Sequence, residues 1–427
     1  MTVRSPDQDL ELAGVAMAHP VRVRDDVFTD EFFADPHRVY ARLRAEAPVH
    51  NVVTPNQQKV WLVVGHAAAR MALADPRLSK DVTVAQRVYE RHTDPSARDR
   101  DFAQSLNAHM LNTDPPEHTR LRKLVAAAFS PRIIEDLRPR IADITSAHAD
   151  ELRARLDTTG SADLLDAIAL PVPTAVICEL LGIPEPARDV LRSAIADLLS
   201  IGDPAKIDRA SQTLAGVLMQ TLEEKKSNPG RDLLTGLMTA QDGDDRLTGH
   251  EMVSMAMLLL VAGHETTVNL VGNGMRALLE NPASADELRS TPELIPAAVE
   301  ELLRYDGPTS TVTFRFTTDD VELDGVTVPA EHPVVVSPLA ANRDPARFPN
   351  PDVLDIRRDT SGAIPFGHGI HHCLGAALGR MEAVTIFETL LTAVPDLALD
   401  TSEPLVYRRS MLVNGLESLP VGRLAAR

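Results

Sequence analysis

"PFGHGIHHCLGAALGR", Pro365 to Arg380, frames one of only two cysteines in 427 residues with glycines and histidines. Three roles compete for Cys373: an inert core thiol, one ligand of a zinc cluster, or the single thiolate ligand of a larger cofactor. Zinc asks for about four Cys, His or carboxylate ligands, or three and a water. His368, His371 and His372 stand close by, but the other cysteine, Cys178, is far away and there is no Cys-x-x-Cys. The second zinc-like string, "GHETTV", places Val268 four residues after His264, where a helical metalloprotease site needs its second histidine. No lysine follows a glycine and precedes Ser or Thr, so the sequence holds no phosphate-binding loop.

The loop itself favours a flat, bulky ligand. Gly367, Gly369 and Gly375 permit φ > 0 and a close backbone approach, and Phe366 offers an aromatic wall. "LGAALGR" reads as a helix start. That would put Cys373 near a positive dipole end with free N–H groups and lower its pKa.

Around this loop the chain is of ordinary globular composition, 44% hydrophobic and 24% charged. Two distant cysteines make no disulfide framework, and a cytoplasmic location is expected. Residues 1–20 lack a basic start followed by an apolar run, so they do not read as a secretory signal and are expected to be a flexible N-terminus. The longest apolar run, "VSMAMLLLVAG", is about half of the ~20 residues that a membrane span needs. It reads as a buried helix. A net charge of −18 argues against nucleic acid as the main partner. Helical periodicity is clear in "RLRKLVAAAF", "TAVICELLGI", "LRSAIADLLSI", "LIPAAVEELLRY" and "MEAVTIFETLLTAV". Strand signals cluster in "QKVWLVV", "TVTFRFTTDDVELDGVTV" and "HPVVVSPL". The polar stretch from Ser79 to Met110 reads as one long mobile connection.

Phe366-Gly367-x-Gly369-x-His371-x-Cys373-x-Gly375 resembles the haem-binding loop of the cytochrome P-450 monooxygenases. A thiolate on one side of haem iron, with the other side open, is the arrangement that favours O–O cleavage. "AGHETT", Ala262 to Thr267, is similar to the oxygen-activation segment of the family's long central helix. Its residues suit that role: Gly263 is small, Thr266 can bond back to the carbonyl of Ala262 and open the helix, and Glu265 carries a carboxylate for a proton relay. Glu301 and Arg304 in "EELLR" share a helix face. In the family such a pair is structural and is completed by a later arginine, here Arg358, with Arg357 as the substitute.

The resemblance implies a mainly α fold with small β-sheets, a triangular-prism helical domain spanning residues 21–427. It implies heme b, iron-bound by Cys373 and framed by Phe366, Gly367, Gly375 and Ala262. His118 and Arg122 in "PPEHTRLRKLV", with Arg315 and His371, would hold the haem propionates, and arginine suits a carboxylate through its paired donors. The implied activity is insertion of one atom of O2 into a medium-to-large apolar small molecule of macrolide, polyketide, terpenoid or steroid-like type, in secondary metabolism. Leu259, Val261, Thr309, Val312 and Leu412 are the expected substrate wall. Electrons from NAD(P)H would arrive through a ferredoxin and ferredoxin reductase, with Arg120, Lys123, Arg132 and Arg380 as a positive landing site. A monomer without a membrane anchor is expected. A peroxide-driven relative and a non-catalytic haem sensor are the alternative readings. Two departures from the family stand out: Glu331 where a turn glycine is usual, and Asn414 where arginine is frequent.

Overall fold

The computed structural model describes residues 23–92, 108–129, 131–198, 204–243 and 245–424. The segment expected to be a flexible N-terminus, and residues 93–107 of the long connection, lie outside them. The first part of that connection is not loop but helix, Val82–His92, which packs on the sheet strands Arg315–Thr317 and Pro333–Val336. Val84, Ala85, Val88 and Tyr89 recur there at helical spacing, and Val88 is the buried one.

The organising element is the 32-residue helix Gly249–Glu280. A reciprocal cap starts it: the Glu251 N–H donates to Thr248 Oγ1 at 3.2 Å, and the Thr248 N–H donates to Glu251 Oε2 at 2.7 Å. From Ser254 onward it is buried on most faces, as expected for a helix that is apolar nearly all round. Its length and apolarity would suffice to cross a bilayer, yet 67% of its most apolar stretch is buried inside the protein. Around it pack Pro171–Leu181, Ile295–Asp306 and the helix that follows Cys373, Ala376–Ala393. A Cβ on Gly274 of the central helix would sit 2.5 Å from the Phe387 ring, so glycine is what lets Ala376–Ala393 approach it.

A five-stranded sheet flanks the helices. Its strand order is Val49–Val53, Lys59–Val63, Pro333–Val336, Arg315–Thr317, Leu78–Ser79. All neighbours are antiparallel except Lys59–Val63 with Pro333–Val336, where Trp61 pairs with Val334 in parallel. Parallel pairing buries both faces, and the continuous run "PVVV" is buried at all four positions. A three-stranded sheet of Leu397–Leu399, Pro420–Arg423 and Ser161–Asp163 joins the chain's end to its middle.

Candidate active site

The cysteine loop is shaped by two left-handed glycines, Gly367 at φ 76° and Gly369 at φ 75°. Gly369 has a second constraint, because a Cβ there would lie 2.4 Å from the Leu73 carbonyl oxygen. The Cys373 N–H donates to Phe366 O at 2.9 Å and closes the loop, and Gly375 begins the helix two residues later. Arg380, one turn into that helix, lays its guanidinium 4.4 Å over the Phe366 ring. Cys373 is exposed as a residue, yet protein crowds its sulfur. Burial therefore pushes the free thiol up, against the Gly375 N–H and the Arg122 and Arg380 charges. The helix start is where the sequence puts it, but desolvation outweighs it, and the expected lowering of the pKa is reversed for the free thiol.

Beside the loop lies a cluster of nitrogen donors. His118, 2% exposed, packs its ring 4.4 Å from His371. Arg122, four residues along the same helix, donates from Nη2 to His372 O at 2.8 Å. Arg315, 5% exposed on its sheet strand, is pushed down to about 10 by desolvation. Burial also lowers His118, and lowers His371 strongly, with Lys80 and Arg315 adding repulsion at the latter. Among the described residues, His118 Nε2, His371 Nε2 and Arg315 Nε find no hydrogen-bond partner although all three are buried. Unpaired buried donors of this kind are costly. Three of them converging beside a cysteine loop fit a flat ligand with acidic groups on one edge, which is the chemistry of haem. Buried Lys80 and His109 belong to the same cluster. Neither was visible from spacing, because both sit in a polar stretch with no periodicity.

On the central helix, Thr266 Oγ1 donates to Ala262 O at 2.6 Å, the back-bond expected of it. Ala262 is exposed and Thr266 half-buried, and Leu258 completes a partly accessible stripe at i, i+4 spacing. Glu265 lies off that stripe and is 5% exposed. Its carboxylate takes Arg408 Nη1 at 2.5 Å and Asn269 Nδ2 at 3.2 Å. Arg408 comes from the C-terminal turn, which also presses Gly415 onto Asn269. His264 stays neutral: burial lowers it to about 4. Thr174 donates its hydroxyl hydrogen to Leu170 O at 2.6 Å, so at 2.8 Å it accepts from His264 Nε2.

The expected substrate-wall residues are spread over three segments. Leu259 is 8% exposed within the helical core, while Val261 is half-buried. Thr309 bridges to Val413, Val312 donates its N–H to Val336 O, and Leu412, 39% exposed, accepts from Ser310 N–H at 3.0 Å. The C-terminal turn is held by Asp306, whose carboxylate accepts from His37, Arg276 and Asn414 at 2.7 to 2.8 Å. Asn414 thus has a buried structural partner at the place where the family often carries arginine.

Glu301 and Arg304 are both 0% exposed and joined by two bonds of 2.7 and 2.9 Å. Arg358 Nε reaches Glu301 Oε1 at 3.2 Å, whereas Arg357 pairs with Glu287. Glu331 adopts φ 58°, the left-handed geometry that glycine takes without strain, and its carboxylate meets Arg87 and Arg91. Glu382, on the helix after Cys373, is 3% exposed, and burial pushes it up to about 8.

The expected positive landing site is not free. Arg120 is paired with Glu117, Asp245 and Glu251, Lys123 with Asp242, and Arg380 with Glu300. Acids from elsewhere in the chain cancel these three charges, and the Arg132 side chain lies outside the described residues.

A sequence profile described as "Cytochrome P450" matches residues 197–394. The chain is 46% identical over 403 residues to "Cytochrome P450 monooxygenase PikC" of Streptomyces venezuelae, covering 93% of this chain and 94% of that protein. It is likewise 46% identical over 399 residues to the "Vitamin D(3) 25-hydroxylase" of Pseudonocardia autotrophica, covering 93% and 96%. Among solved structures, the tirandamycin C-bound P450 monooxygenase TamI superposes with a TM-score of 0.84 at 44% identity, covering 93% of this chain and 99% of that one. Fold, cysteine loop and relatives agree, and the chain belongs to the cytochrome P450 family of haem-thiolate monooxygenases.

Proposed function

We propose that this monooxygenase places one oxygen atom of O2 on a medium-to-large apolar small molecule of macrolide or polyketide type, with terpenoids and steroid-like compounds as neighbours in shape. The observation that carries the reading is the set of unpaired buried donors, His118, His371 and Arg315, beside the Cys373 loop, with the Thr266–Ala262 back-bond on the central helix as support. The relatives named for tirandamycin C and vitamin D3 support a sizeable, largely apolar substrate. Leu258, Val261, Ala262, Thr309, Val312 and Leu412 would form its wall.

When bound, the haem supplies the O2 activation and the oxidation itself. The chain supplies ligation, orientation and protons. Cys373 would hold the iron as thiolate, with Phe366, Gly367 and Gly375 against the ring. Arg122, Arg315, His118 and His371 would bind its carboxylates. Thr266 already donates to Ala262 O, so its oxygen lone pairs face incoming donors and orient a water. Glu265, whose carboxylate Arg408 and Asn269 hold in place, would take a proton from solvent and hand it on. Electrons would come from NAD(P)H through a ferredoxin and its reductase. The chain would act as one interwoven domain, a cytoplasmic monomer.

The test is a ligand screen on the purified ferric protein, following the low-spin to high-spin change, then turnover with a surrogate ferredoxin system. Macrolides or linear polyketides that shift the spin state and yield a product 16 mass units heavier support the reading. Binding confined to small aromatic ligands would overturn the substrate class. A reduced carbon monoxide complex with a histidine-type Soret band would overturn the thiolate ligation.

A further inference from the structure

We infer that Lys80 is a further haem-binding residue, its ammonium pairing with one of the two haem carboxylates. The inference rests on the haem reading above. Lys80 directly follows the strand Leu78–Ser79, where Leu78 pairs with Thr317 and Ser79 with Phe316. One step along that antiparallel register, Lys80 comes opposite Arg315, and opposed residues share a face of the sheet. Both residues are 5% exposed. The Lys80 amine and the Arg315 guanidinium are therefore both buried at this edge of the sheet, and desolvation, with repulsion from Arg315, lowers Lys80 well below the usual lysine value.

Lys80 has no acid to itself. Its Nζ donates to Thr313 Oγ1 at 2.5 Å and to Phe314 O at 3.2 Å, both uncharged, which leaves one of three N–H groups. Asp114 is the acid of this cluster, and it already accepts from Ser79 Oγ at 2.5 Å and from the Lys80 backbone N–H at 3.0 Å. With Lys80 protonated, Lys80, Arg122 and Arg315 against Asp114 would leave an excess of two positive charges, and haem brings two carboxylates. Burial also holds the neighbouring His109 down at about 4, with Lys80 adding repulsion. Without an acidic ligand, the remaining Lys80 N–H and the partnerless Arg315 Nε are buried donors left unsatisfied, and a bound carboxylate would both accept from them and favour the Lys80 ammonium.

A purely structural role is the competing account, because the same Nζ ties the edge strand to Thr313 and Phe314. Lys80→Gln separates the two by keeping donors to both oxygens while removing the charge. In the full-length holoprotein we expect Lys80→Gln to lose haem to apomyoglobin about tenfold faster than wild type, the effect of one charge-assisted bond. Its reduction potential should be more negative, since removing a positive charge disfavours the reduced state. Both proteins are then reconstituted with haem dimethyl ester, which has no carboxylates. The variant's excess loss rate should vanish there, and Lys80→Arg should restore tight binding of natural haem. Equal loss rates with natural haem, or an excess that persists with the ester, overturn the inference and leave Lys80 as a strand tether. If Lys80→Gln does not fold, ζ-15N-lysine spectra of the wild type decide in the reduced carbon monoxide state. The Lys80 resonance should move between haem and its ester, and an unmoved one refutes the pairing. A wild type that binds no haem would fail the haem reading itself.

Discussion

Replacing Glu382 by glutamine should stabilise the protein, and only above about pH 5. Glu382 is 3% exposed, and its Oε2 is buried with no partner among the described residues. Burial pushes its pKa from 4.5 to about 8. The folded chain therefore keeps a proton that the unfolded chain has released. For a carboxyl raised in this way, stability falls as pH rises from the unfolded value toward the folded one. At 1.36 kcal/mol per pKa unit, that cost is about 3 kcal/mol at pH 7 and near zero at pH 4.5. Glutamine keeps the shape and carries no charge at either pH. The Gln-minus-wild-type difference should therefore grow from nothing to roughly 4 °C in Tm for a chain of this size. Thermal unfolding of both holoproteins at one scan rate, stepped from pH 5 to pH 8, measures it. A difference that stays flat across that range would mean the carboxyl is ionised or solvated, and the argument from burial would fail.

Three further outcomes test other parts of the molecule. Thr266→Ala removes the hydroxyl that bonds Ala262 O; product per NAD(P)H consumed should fall severalfold at unchanged haem content, and an unchanged ratio removes Thr266 from proton delivery. Glu301→Ala strands Arg304, which is 0% exposed, at a cost of about 3–5 kcal/mol; recovery of soluble protein with wild-type Tm would contradict this. Glu331→Gly should be more stable than Glu331→Ala by about 1 kcal/mol, since both lose the pairs to Arg87 and Arg91 but only glycine relaxes φ 58°. Equal urea midpoints for the two variants would refute the strain.

What could be read from the chain in advance was whatever depends on near neighbours. The cysteine loop, the Thr266 back-bond and the Glu301–Arg304 pair are local patterns, and the three strand signals fall on strands of the five-stranded sheet, which carries both Arg315 and Val334, and on the hairpin of Val321–Leu323 with Val326–Val328. Helix Val82–His92 escaped although Val84, Ala85, Val88 and Tyr89 recur at helical spacing, because the long polar stretch that follows it makes the two read as one connection. Long-range pairing escaped for a different reason. Arg120 and Lys123 look like free cations until Asp245, Glu251 and Asp242 fold onto them, and the Arg408 that positions Glu265 arrives only from the C-terminal turn. Glu382 is one acid among the apolar residues of "MEAVTIFETLLTAV". Only packing against the other helices reveals that it is interior.

The parallel pairing of Trp61 with Val334 has a consequence for biosynthesis. The partners are about 270 residues apart, so a ribosome working at ~5–20 residues per second needs roughly 15 to 50 seconds between making one and making the other. Throughout that interval the early hairpin Val49–Val63 presents an unmatched hydrogen-bonding edge to the cytosol. Slow translation should therefore depress yield through aggregation, and overexpression should benefit from chaperones that shield nascent strands.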